Sequence, residues 1–258
     1  MSDLGAVDVK LKLNFLFMFK NKLNLRNVFA IAICLVATTM FSACSKENVP
    51  NEETQLRALL VKLYHDTNGD GWSYKANWLS DEPIDEWYGI TYSSGNLKID
   101  LRQNNLIGTI DVSGCTALTE LLCWDNQLTN LNVSGCTALT KLWCAATRLT
   151  SLNVSGCTAL IELYCQNNQL TDLNISGCAA LTFFCCNNNL LTSLDVNGGT
   201  GLKTLWCFNN HLTNTALNTV FGMLPITDGF INVRYNLGTS TCDPSIAEAK
   251  GWTVERQY

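Results

Sequence analysis

The sequence predicts a β-dominated solenoid of the α/β class. Short parallel strands stack turn upon turn between a helical N-terminal cap and a small C-terminal cap. Three observations carry this expectation. A unit of 21 residues recurs in register through the middle of the chain. Within each unit the apolar residues alternate with period two over two short segments, the pattern of strands with one inward face. The flanking segments lose that period, and the first, Glu53–His65, places Leu56, Leu59, Leu60, Leu63 and Tyr64 at helical spacing.

Composition narrows the function. A hydrophobic fraction of 47% is too high for a disordered chain. The net charge of −5 speaks against nucleic acid, which asks for a basic face. Thirteen cysteines are too many to pass over, and their positions decide their meaning.

In chain order, residues 1–43 read as a signal. Val28–Ala43 is an uncharged, mostly apolar run behind Lys20, Lys22 and Arg26, the order of a secretory leader. It is short for a membrane span, which needs about 20 residues. Phe41-Ser42-Ala43-Cys44 resembles the bacterial lipobox, with Phe41 where that motif usually has Leu. The resemblance implies cleavage before Cys44, acylation of Cys44, and attachment to a membrane through an N-terminal lipid. Ser45-Lys46-Glu47-Asn48 is similar to the surface-export signal of Bacteroidetes lipoproteins. It implies an outer-membrane lipoprotein at the cell surface, with the periplasmic face as the alternative. Met18 gives such a signal a more compact start than Met1. Loss of residues 1–43 leaves 12 basic and 20 acidic residues, a net charge of −8. Residues 44–51 have no apolar period and read as a tether.

Residues 52–94 form the expected N-terminal cap. The helix is followed by Asn68-Gly69-Asp70-Gly71-Trp72, Asn77-Trp78-Leu79-Ser80-Asp81 and Trp87-Tyr88-Gly89-Ile90-Thr91. Asp66–Gly71 begins like a calcium-binding loop, but the twelfth position is Asn77 where a bidentate Glu is needed. A cap turn is the expectation, with no metal or other cofactor.

Residues 95–220 are read as six repeat turns. Thr116–Cys136, Thr137–Cys157 and Thr158–Cys178 are near copies, and Ala179–Gly199 and Thr200–Val220 keep their register. A looser copy, Gly95–Cys115, precedes them with one extra residue near Gly108-Thr109. The pattern Leu-x-x-Leu-x-Cys-x-x-Asn-x-Leu resembles the leucine-rich repeat, with Cys at the usual third Leu. A 21-residue turn has no room for a full crossover helix. One turn cannot bury its own apolar face, whereas stacked turns share a continuous core. The cap resembles that of plant-type leucine-rich repeats without their cysteine pair.

Asn104, Asn126, Asn168, Asn189 and Asn210 occupy one slot. The resemblance implies an inward asparagine ladder that satisfies backbone groups of adjacent turns. Thr147 interrupts it, and that turn is expected to be the weakest. Cys123, Cys144, Cys165, Cys186 and Cys207 form one row, and Cys115, Cys136, Cys157 and Cys178 a second. In-register side chains on parallel strands point the same way, a poor geometry for disulfides. Both rows are expected to pack as small buried hydrophobes.

Residues 221–258 are read as the C-terminal cap. The elements expected near and within it are a helix at Ala216–Leu224, a strand at Gly229–Tyr235 and a second helix at Ser245–Lys250.

Function is sought on the outward strand positions. Leu122, Trp143, Tyr164, Cys185 and Trp206 share one outward slot, flanked by Trp124, Phe183 and Phe208 in neighbouring slots. A contiguous exposed apolar patch marks an interaction surface. Trp124, Trp143, Tyr164, Phe183, Trp206 and Phe208 are therefore the candidate ligand-binding residues, for a protein or glycan partner. The alternative is a structural component of the envelope that pairs copies of itself. His65 and His211 have no patterned nucleophile and acid partner, and no phosphate-binding glycine motif is present. The expected protein is not an enzyme.

Overall fold

The computed structural model describes residues 51–257. The expected leader, the acylated Cys44 and residues 44–50 of the tether lie outside the described residues. Asn51, the last tether residue by the sequence reading, is the N-cap of helix α1 (Glu52–Asp66), and its side chain accepts the Thr54 amide at 2.8 Å. Glu52 and Glu53 complement the positive end of the helix. The buried stripe of α1 is Leu56, Leu60, Leu63 and Tyr64.

Twelve strands follow: β1 (Ile90–Ser93), β2 (Asn96–Asp100), β3 (Ile107–Asp111), β4 (Leu118–Leu122), β5 (Gln127–Asn132), β6 (Lys141–Trp143), β7 (Ser151–Asn153), β8 (Glu162–Tyr164), β9 (Phe183–Cys185), β10 (Thr204–Trp206), β11 (Gly229–Asn232) and β12 (Trp252–Glu255). They form two sheets. The main sheet runs β1-β2-β4-β6-β8-β9-β10-β11-β12, and a smaller one runs β3-β5-β7. Among the described residues only the β1–β2 pair is antiparallel. The architecture is a leucine-rich-repeat-like solenoid.

The second extended segment of each turn is a regular strand only in the first three turns. Beyond β7 it persists as a single bridge between Asn174 and Asp195. The extra residue of the first copy is accommodated at Gly108, where the register of β3 on β5 shifts. Gly108 has φ +106°, and a Cβ there would lie 2.5 Å from the Asp66 carbonyl at the end of α1.

Between the sheets, successive turns bury the same positions as far as the last repeat, where Thr215 stands exposed in the slot of Leu131. Leu121, Cys123, Leu128, Leu131, Val133 and Cys136 are buried in one turn, and their equivalents in the next. The eleven cysteines among the described residues are all free and buried. Thiols of the second row donate to the carbonyl of the preceding turn, Cys136 to Val112 at 3.2 Å and Cys157 to Val133 at 3.1 Å.

The segment read as a C-terminal cap continues the sheet. Thr204 pairs with Phe230, and Phe230 with Thr253, so β11 and β12 are two further parallel rungs. Helices α2 (Asn214–Met223) and α3 (Ser245–Glu248) replace the flat back segments of these longer turns. The ladder extends with them. Asn236 donates to Cys207 O and Val233 O, each at 3.0 Å, and accepts from Leu212 N at 3.1 Å.

Candidate functional site: the outer face of the main sheet

Strand register fixes what stands side by side on the outer face. Leu122, Trp143, Tyr164, Cys185 and Trp206 are consecutive partners across β4, β6, β8, β9 and β10. Glu120, Lys141, Glu162, Phe183 and Thr204 form the neighbouring row. Side chains two residues apart on a strand share a face, so these rows lie together.

Four rings join into one column. Trp143 meets Tyr164 edge to face at 5.2 Å. Tyr164 stacks on Phe183 at 4.9 Å with 20° between planes. Phe183 meets Trp206 edge to face at 5.5 Å. The register partner of Tyr164 and Trp206 is Cys185, whose small side chain leaves the row open at that rung. Phe183, two residues earlier on β9, fills the gap as a diagonal neighbour, within reach of long aromatic side chains. Cys185 is thereby only 2% exposed despite its outward register, and its thiol donates to Asn187 Oδ1 at 2.9 Å. Trp206, at 37%, is the most open ring of the column.

Polar groups hold the column at its N-terminal end. Lys141 places its ammonium 5.4 Å from the Trp143 ring centre, and the Trp143 indole donates to Glu162 at 3.3 Å. Burial pushes the Tyr164 phenol pKa up, with the Glu162 charge adding to it. Lys98 pairs with Glu120 at 2.8 Å on the same row. Beyond Trp206 its row turns polar, with Asn232 beside Glu255 and Glu255 paired to Arg234 at 3.2 Å, while the half-buried Phe230 continues the row of Phe183 and Thr204.

Trp124 and Phe208 stand apart from the column. Trp124 is half-buried beneath the Arg102 guanidinium, 5.9 Å away, and neither residue makes a ring contact with the four among the described residues. Leu122, at the column's N-terminal end, is buried. His65 lies in the last turn of α1 against Tyr64, and His211 lies just before α2; both are exposed.

The ladder beneath the face is hydrogen-bonded turn to turn. Asn168 is representative: it donates to Cys144 O at 2.9 Å and Cys165 O at 3.1 Å, and accepts from Leu149 N at 3.0 Å. Asn126, Asn189 and Asn210 repeat this arrangement. Asn104, on the first turn, instead clamps the backbone of Tyr74 in the cap. Thr147 has a single hydroxyl proton with two acceptors in reach, Asn168 Oδ1 at 2.6 Å and Cys144 O at 3.3 Å. Asn236 was not among the expected ladder residues, although Ile231-x-Val233-x-x-Asn236 carries the strand–ladder spacing with Val in the Cys slot. A further regularity went unread. The residue before each ladder position, from Gln103 and Asp125 to Asn209 and Tyr235, has positive φ, which is why Asn recurs there.

No protein-family model matches the chain. No curated protein matches it either. Among solved structures, the chain is similar to the functional domain of InlJ from Listeria monocytogenes, described as including a cysteine ladder, at 32% identity and a TM-score of 0.48. The similarity covers 57% of this chain and 31% of that one, so the match spans about a third of that neighbour's length.

Proposed function

We propose that this chain is a non-catalytic interaction protein that holds a protein or glycan partner on the outer face of its main sheet. The observation that carries the reading is the column of Trp143, Tyr164, Phe183 and Trp206, four large rings in contact on a surface facing solvent. Alternating polar residues are the usual occupants of a solvated sheet face. Aromatic rings there give much contact area at little loss of side-chain freedom. A solenoid offers them an extended, rigid platform.

The leader and Cys44 support anchoring by an N-terminal lipid. Ser45-Lys46-Glu47 supports an outer-membrane position facing the outside of the cell. Protease treatment of intact cells tests this: release of the chain is expected, and full protection would place it on the periplasmic face.

Replacing Trp143, Tyr164 and Trp206 together by Ser tests the face. Retention on a glycan and host-protein array is expected to disappear while thermal melting stays cooperative. Unchanged binding in that variant would remove the column from the function. Concentration-dependent light scattering addresses self-pairing. A monomer at high concentration is expected, and a dimer that the triple substitution dissolves would make the face an assembly surface.

A further inference from the structure

A second aromatic surface lies on the N-terminal cap, away from the column. Tyr74 and Tyr88 stack at 5.3 Å with 24° between planes, and they are 55% and 38% exposed. Leu79 nearby is 45% exposed and adopts φ +65°, as Asn77 adopts +64°. A leucine with positive φ is strained, and such strain persists only where the surroundings enforce it.

The surroundings do enforce it. Segments 74–80 and 82–88 are laced together by Tyr88 N to Ala76 O at 3.0 Å, Trp78 Nε1 to Tyr88 O at 2.9 Å and Asn77 Nδ2 to Glu86 O at 2.8 Å. Asn104 grips the Tyr74 backbone through both its amide and its carbonyl. Gly89 follows Tyr88 with φ +76°, and a Cβ there would lie 2.1 Å from the Asp100 carbonyl. The two tyrosines are therefore displayed from a fixed backbone, with their phenol ends free of protein hydrogen bonds among the described residues.

Four carboxylates belong to the same stretch of chain. Asp81, Glu82, Asp85 and Glu86 are all exposed, and none forms an ion pair among the described residues. Two cations belong to this part of the cap: Lys75, next to Tyr74, donates to Asp70 O, and Arg57 spends its guanidinium on Ser80 O and Glu82 O and lies over the Trp87 ring at 5.1 Å. This part of the cap thus combines open aromatic faces with carboxylates that neither cation pairs among the described residues. Guanidinium and ammonium groups satisfy both at once, over the ring and against the carboxylate. A second copy of this chain would bring like charge to the same place.

We propose that this cap surface docks a basic, arginine- or lysine-rich polypeptide segment, independently of the sheet face. The probe is a fluorescent nona-arginine peptide titrated against the full chain at low and moderate salt. Saturable binding is expected. Tyr74→Ser with Tyr88→Ser should weaken it about tenfold at unchanged melting temperature. Asp85→Asn with Glu86→Gln should weaken it and flatten its salt dependence. The triple substitution of the sheet column should leave it unaltered. No saturable binding, or equal affinity in the double-tyrosine variant, would overturn the proposal, the latter reducing the effect to attraction by net negative charge. Loss only in the column variant would move the peptide site to the sheet face.

Discussion

The cap and the repeats solve the same burial problem with opposite materials. In the cap, Tyr64, Trp72, Trp78 and Trp87 form one cluster with ring centres 4.8–5.8 Å apart. Each indole of the three tryptophans donates to a backbone carbonyl, of Thr67, Tyr88 and Glu82 respectively. In the repeats the core is Leu, Cys and Asn, reissued every 21 residues. The cap depends on a few large contacts made once. The repeats depend on small contacts made many times, so damage to one turn is shared with its neighbours. The cap has no cysteine, and the repeats hold ten of the thirteen.

Alkaline pH should separate the two most strongly. Burial raises the thiols of Cys123, Cys136, Cys178 and Cys207 to about 12, and that of Cys157 to about 11. An unfolded thiol releases its proton at an ordinary pKa near 9, whereas the native thiol keeps it. Stability is therefore complete below about pH 9 and falls as pH rises toward 12, by up to about 1.4 kcal/mol per thiol per pH unit. The melting temperature should drop steeply between pH 9 and 11. A flat profile would show that the thiols are not buried as described.

The next effect is confined to the cap. Trp87→Ala removes a ring that is 2% exposed and should cost about 3–5 kcal/mol in urea unfolding. A cost near 1 kcal/mol would mean that the cap closes over the loss, and that its contacts are as replaceable as those of a repeat.

Within the repeats, Asn168→Ala should cost about 2–3 kcal/mol, because buried backbone groups of two turns lose their partner. The equivalent Asn104→Ala tests the junction, since its bonds run to Tyr74 and not to another turn. The smallest effect has the opposite sign. Thr147→Asn should restore the missing rung and add about 1 kcal/mol. No gain would mean that Thr147, with Asn168 and Cys144 in reach of its hydroxyl, already meets the need of that turn.

The repeats were legible because one period sets everything about them. Once Leu121 and Cys123 point inward, so do Leu142 and Cys144, and the asparagine slot follows at fixed spacing. The cap helix was legible from its spacing, but its boundary moved by one residue when Asn51 proved to be its N-cap. The C-terminal segment was harder to read. Helices α2 and α3 lengthen its turns, so the 21-residue register that identified the other rungs no longer applied to β11 and β12.

The sequence by itself determined the inward half of this protein. A strict repeat dictates which side chains face the core, and stacking then brings equivalent positions into contact. Only the tertiary structure decided the outward half. It admitted Phe183 to the column through the gap above Cys185, left Trp124 and Phe208 outside, and set Tyr74 against Tyr88 across two cap segments. Those contacts depend on diagonal neighbours and loop closure, and side chains on a solvent face are under no repeating constraint to reveal them in advance.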